Sequence, residues 1–273
     1  MRVSAIAIAI SISLVSFPPG ANAEPESPVL SAPTAQQNLP YPPPLDPTLP
    51  PLPEIHPHPE PMYGALTVEQ LEYRLNEGHD TFNWEAEGWY GGDYRRLRLK
   101  TEGEVELSGD GGELEVQLLY SQLVSPFWEV QGGLRYDREF GQNVERDRFF
   151  GAIGIQGLAP YFVETEATLF VSEAGDVSAR FKAERDFLIS QRLILQPEIE
   201  LNLAAPSVEN FGVGSGLNDV DLGLRLRYEI TREFAPYVGV NWTHKFGQTA
   251  DFARREGKQV DNWAVVGGVR LLF

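Results

Sequence analysis

Residues 219–230 read DVDLGLRLRYEI, and their two interleaved sets do not mix. Val220, Leu222, Leu224, Leu226, Tyr228 and Ile230 are apolar. Asp221, Gly223, Arg225, Arg227 and Glu229 are polar or small. A period of two puts successive side chains on opposite faces of an extended chain, so this is a strand with one apolar and one charged face. Residues 97–107, LRLKTEGEVEL, repeat the pattern, with Leu97, Leu99, Val105 and Leu107 set against Arg98, Lys100, Glu102, Glu104 and Glu106. No long segment carries a helical period, so the chain reads as all-β.

About twelve such segments follow one another, near 66–76, 81–90, 95–107, 113–123, 127–137, 147–157, 161–171, 177–187, 192–204, 219–230, 236–246 and 261–273. Most have the roughly ten residues that a barrel strand needs to cross a bilayer. Turn residues separate them, as in GHD, GGD, SGDGG and SEAGD. A soluble sandwich turns its apolar face inward, whereas a membrane barrel turns it outward, and alternation alone does not choose. Connection length does. Links after even strands are short, while the three longest, Arg138–Arg146, Ala205–Asn218 and Gly247–Val260, all follow odd strands. Long loops at one end and short turns at the other are the outer-membrane arrangement. Trp84, Trp89, Trp128, Tyr228, Trp242 and Trp263 near strand ends fit its aromatic girdles. The expected fold is an antiparallel up-and-down transmembrane β-barrel of about twelve strands, surrounded by outer-membrane lipid. Its last strand places Trp263, Val265, Gly267, Val269, Leu271 and Phe273 toward that lipid. Pro197 interrupts one strand, where a bulge or irregular register is expected.

The preceding residues differ in kind. Arg2, a short apolar run and the small-x-small site ending at Ala23 are expected to form a signal peptide over 1–23. Residues 24–64 are expected to be a proline-rich, disordered periplasmic tether, since only five of the 21 prolines lie beyond residue 61 and proline can join neither helix nor sheet interior. The barrel then occupies 65–273. A net charge of -17 argues against nucleic acid, and the absence of cysteine removes thiol chemistry and disulfides.

The lumen-facing set carries both signs, including Arg98, Lys100, Glu102, Glu115, Glu166, Arg180, Lys182, Glu198 and Arg225. Buried charges must be paired. Opposite charges on neighbouring strands are therefore expected to meet and fill the bore. The histidines are His56, His58, His79 and His244. None stands in a serine-hydrolase motif, so no enzyme activity is expected. For a metal, EIHPHPEPM offers His56, His58, Glu60 and Met62; imidazole suits Cu(II) and thioether suits Cu(I). In polyproline II, His56 and His58 face different ways, so a shared ion needs a bend or a further ligand such as His79. By residues alone, incidental histidines remain the alternative.

Several strings resemble the copper-resistance protein B family of outer-membrane proteins: GWYGGDYRRLRLKTEGE, SPFWEVQGGLRYD, GIQGLAPYF, LISQRLILQPEIELNLAA and GVGSGLNDVDLGLRLRYEITREFAPYVGV, within about 65–273. The resemblance implies copper homeostasis: copper ions bound and then sequestered or exported, beside a periplasmic multicopper oxidase. Members typically have a Met- and His-rich N-terminal segment, whereas here Met62 is its only methionine after signal cleavage. Cu(II) at His56 and His58, assisted by Glu60, Met62 or His79, is therefore the expected site. A general outer-membrane barrel or porin without a retained copper role is the alternative. Phe273, as a terminal aromatic, resembles the recognition signal of barrel-assembly machinery.

Overall fold

The computed structural model describes residues 61–109, 111–141 and 144–273. The expected signal peptide and most of the proline-rich segment, with His56, His58 and Glu60, lie outside the described residues. Twelve antiparallel strands close on themselves. They are β1 (Tyr63–Asn76), β2 (Thr81–Gly91), β3 (Arg95–Glu106), β4 (Gly112–Ser125), β5 (Trp128–Gly141), β6 (Val144–Ala159), β7 (Val163–Ser172), β8 (Val177–Glu184, resumed at Phe187–Leu188), β9 (Leu193–Ala204), β10 (Gly216–Tyr228), β11 (Phe234–Lys245) and β12 (Asp261–Leu272). Each pairs with its sequence neighbours, and β12 pairs with β1 to complete the ring. Beyond β12, Phe273 and Leu66 exchange backbone hydrogen bonds of 2.8 and 3.0 Å, so the terminal residue extends the closing seam.

The faces are inverted relative to a soluble barrel. On β10, Leu222 and Leu224 are 39% and 41% exposed, while Arg225 and Arg227 are 3% and 2% exposed. The same holds on β3, where Leu97 and Leu99 lie outside and Arg98 is buried. On the terminal strand Trp263 and Val265 are exposed, and Ala264 and Val266 are buried. Two groups of apolar side chains do face inward, one of them Tyr237, Ala264 and Val266 beside the closing seam. Leu119, Phe150, Ala152 and Phe170 form a small cluster on the lumen wall of β4–β7.

Two expectations about connections need correction. Arg138–Arg146 is not a long loop. β5 runs to Gly141 and β6 starts at Val144, so the segment is a strand extension held by the pairs Arg138–Glu145 and Arg146–Glu139. The loop after β11 contains a helix, α1 (Gly247–Arg255), which buries Thr249, Ala250, Phe252 and Ala253. The Thr249 hydroxyl accepts from the Gly214 amide at 2.9 Å, fixing α1 against the β9–β10 loop.

Pro197 does not make a bulge. Its register with Leu224 is regular, and Glu198↔Glu184 and Leu195↔Phe187 belong to one unbroken register with β8. Instead the partner strand breaks at Arg185–Asp186. The Arg185 amide donates to the Pro197 carbonyl at 3.2 Å. The return bond would need a proline N–H, so it is missing. The bulge of this seam lies elsewhere, at Asn202/Leu203. Beyond Glu184, β8 also loses β7, whose pairing stops at Glu164↔Glu184.

Candidate functional site

The lumen is the chemically loaded part of the described residues. Glu72 on β1 is fully buried. It accepts hydrogen bonds from Arg74 Nε at 2.6 Å, Arg225 Nε and Nη2 at 3.1 and 3.2 Å, and the Tyr237 hydroxyl at 2.9 Å. Arg225 also donates to Glu198 at 3.1 Å. This set ties β1 to β10 and β11 beside the closing seam.

Deeper pairs cross the bore. Lys182 on β8 donates to Glu85 on β2, six strands away in a ring of twelve and so on the opposite wall. Arg180, also on β8, bonds Glu102 on β3 and reaches Glu115 on β4 at 2.9 Å. Lys100 on β3 donates to Glu166 on β7 at 2.6 Å. The sequence reading expected pairs between neighbouring strands. Register neighbours are often alike in sign instead: Glu85 faces Glu102, Glu102 faces Glu115, and Glu104 faces Glu113. Like charges directly opposite repel. Cations arriving from the far wall offset that repulsion, which only a narrow bore permits.

Above these bridges, on the long-loop side, lies a cavity of about 480 Å³, reaching to Pro206, Val208 and Phe211 of the β9–β10 loop. Twelve carboxylates and six guanidiniums line it, so its interior favours cations. One wall is a stack of arginine and phenylalanine. Arg148 lies 4.3 Å from the Phe211 ring and 4.7 Å from Phe150, and Arg135 lies 5.1 Å from Phe150 and 4.4 Å from Phe170. Guanidinium over a ring face is attractive and holds each cation in place. Carboxylates on β2–β4 and β9–β10 form the facing wall. Cavity and stack were invisible in the sequence because their members come from ten strands and two connections.

Of the expected ligands, Met62 stands exposed just before β1, and His79 sits in the β1–β2 turn at the other end of the same strand. The 14 residues of β1 separate them by roughly 43 Å at about 3.3 Å per residue. Six residues from His56 to Met62 reach at most roughly 22 Å. His79 therefore cannot join His56, His58, Glu60 and Met62 on one ion within one chain. Its Nδ1 lies 2.9 Å from Ser108 Oγ, a hydroxyl 29 residues away and so outside any local motif around His79. Asp80 beside it accepts from Tyr73 at 2.6 Å rather than orienting the ring. His244 Nδ1 lies 3.1 Å from Asp261, with its ring stacked on Trp242. Among the described residues no three His, Cys, Asp or Glu side chains converge as a metal site.

Comparison with known proteins bears on what this lumen serves. A family model described as copper resistance protein B precursor (CopB) matches residues 62–273. Copper resistance protein B of Escherichia coli is 42% identical over 208 residues, covering 76% of this chain and 69% of that protein. A copper resistance protein B homolog of Pseudomonas syringae pv. tomato is 40% identical over 216 residues, 79% of this chain and 72% of that one. Among solved structures the chain is similar to NanC porin, at a TM-score of 0.48 and 11% identity over 76% of this chain and 98% of that one. KdgM porin gives a TM-score of 0.47 and 10% identity over 77% and 99%.

Proposed function

Because the chain belongs to the copper resistance protein B family, we propose that it is a non-enzymatic outer-membrane protein of copper homeostasis that binds copper on the segment leading into β1. The inverted faces support the membrane reading, since apolar side chains outside and charges inside suit lipid and not water. The short-turn mouth, where Met62 enters β1, then faces the periplasm, and the long loops with α1 face outward. Copper is held as Cu(II) by His56 and His58, with Glu60 or Met62 assisting. The observation that carries the reading is the reach argument. That ligand set stays at the short-turn mouth, and the bridges of Lys182 and Arg180 stand between it and the far cavity. Periplasmic sequestration, with handover to a multicopper oxidase there, follows more directly than export through the bore.

The test is copper titration of the mature protein. The double variant His56→Ala/His58→Ala is expected to weaken Cu(II) affinity by at least about tenfold, the size of effect seen on disturbing a metal's surroundings. His79→Ala leaves it unchanged. Unaltered affinity in the double variant removes the site. A deletion strain no more copper-sensitive than its parent would favour the alternative, a general barrel whose copper role has been lost.

A further inference from the structure

The lumen is densely charged, and two of the three side chains that bridge it, Lys182 and Arg180, sit on one strand, the third being Lys100 on β3. We propose that the bore is a latched conduit for hydrated, oxygen-seeking cations, with Lys182 and Arg180 of β8 as the latch. This rests on the membrane reading above.

Three observations support it. First, the bridges across the bore are made by flexible cationic ends on shared carboxylates: Lys182 on Glu85 and, at 3.8 Å, Glu198; Arg180 on Glu102, Glu115 and, at 3.4 Å, Glu200. An arriving cation offers those carboxylates the same charge complement. It can take over their oxygens while Lys182 swings aside, and the constriction keeps its charge balance through the exchange. Second, the lining of the vestibule, taken together with this point, has twice as many carboxylates as guanidiniums, and Arg135, Arg146 and Arg148 are held back on the aromatic stack. Anions are repelled there and cations concentrated. Third, β8 is the least secured strand. It has eight residues before its gap, lacks the return bond from Pro197, and has no β7 partner beyond Glu184.

The same residues specify the passenger's class. No histidine or methionine lines the cavity, and the chain has no cysteine. Carboxylate oxygen suits hydrated K⁺ or Cu(II) and not Cu(I), which prefers thiolate and thioether. Cuprous ion is therefore excluded from this route.

Planar-bilayer recording on the full mature protein tests the proposal, in KCl gradients with and without added CuCl₂. Heat-modifiable gel mobility reports folding of every variant. The wild type is expected to show rare, small openings. Lys182→Met should raise conductance by at least about tenfold, with a reversal potential on the cation side. Because that change leaves Glu85 without its partner, Glu85→Gln/Lys182→Met provides a charge-matched variant expected to open as well. A wild type that conducts as an open pore overturns the latch. So do two inserted, folded variants that conduct like the wild type, or an opened bore that selects anions. Protein that stays in the aqueous phase and never inserts overturns the membrane reading itself.

Discussion

Replacing Glu72 by glutamine tests whether the buried charge set holds the barrel closed. The substitution keeps the side chain's size and one carbonyl oxygen but removes the charge. In the native protein this carboxylate accepts three hydrogen bonds from guanidiniums and one from a phenol, with no exposure to solvent. Hydrogen bonds to charged groups contribute about 1.5–3 kcal/mol each. Arg225 retains Glu198 at 3.1 Å and Arg74 retains Gln70 at 3.3 Å, so the loss is well short of their sum. Breaking one side of a buried pair typically costs about 3–5 kcal/mol, and we expect Glu72→Gln to fall in that range. The assay is reversible urea unfolding in lipid vesicles, followed by tryptophan fluorescence and gel mobility. Glu72→Gln/Arg225→Met, which removes both partners, should recover part of the loss. As a contrast, Arg254→Ala breaks only the exposed pair with Asp251 at 2.8 Å and should change stability by less than about 0.5 kcal/mol. A loss below about 1 kcal/mol for Glu72→Gln, or a double variant as unstable as the single, would refute the reasoning.

Gly103→Ala should destabilise the barrel by about 1–3 kcal/mol, because a Cβ there would lie 2.3 Å from the Trp84 ring and 2.5 Å from the Glu113 carbonyl; the same urea titration reads it. Deleting Phe273 removes both backbone bonds to Leu66 and the terminal aromatic. Phe273→Ala removes only the ring. If the ring is read during assembly, both variants should lower the amount of folded barrel in cells, measured by gel mobility of membrane fractions, and normal assembly of Phe273→Ala would defeat that role.

Much of the architecture was legible because a closed sheet with an apolar outer face and a charged inner face enforces a period of two. The alternation of Leu222, Leu224 and Leu226 with Arg225 and Arg227 reports a single choice of face, and the loop lengths report the ends. The reading failed where that enforcement stops. Around Arg138, Glu145 and Asp147 the β5–β6 hairpin carries charge on its outer face, so apolar periodicity fades although the strands continue. Helix α1 was missed because it is short and sits in a connection. Pro197 marked a real defect, but the sequence could not say that the defect falls on β8. Contacts across the bore were illegible for a geometric reason: register follows from neighbours, whereas Lys182 meeting Glu85 depends on the width of the closed ring. The distance between two of the candidate helper ligands was hidden for a similar reason. His79 is close to Met62 in sequence, but one strand length separates them.

The bridges across the lumen also act as a gauge of circumference. A barrel's diameter grows with each strand added. A hairpin duplicated into this sheet would move the β8 ammonium and the β2 carboxylate beyond each other's reach, leaving register neighbours of like sign without the cations that offset them. Loops at either mouth can lengthen or shorten without touching that arrangement. Gain or loss of a strand pair would require rewriting the charge pattern on several walls at once, so the lineage is free to vary its rims but not its girth.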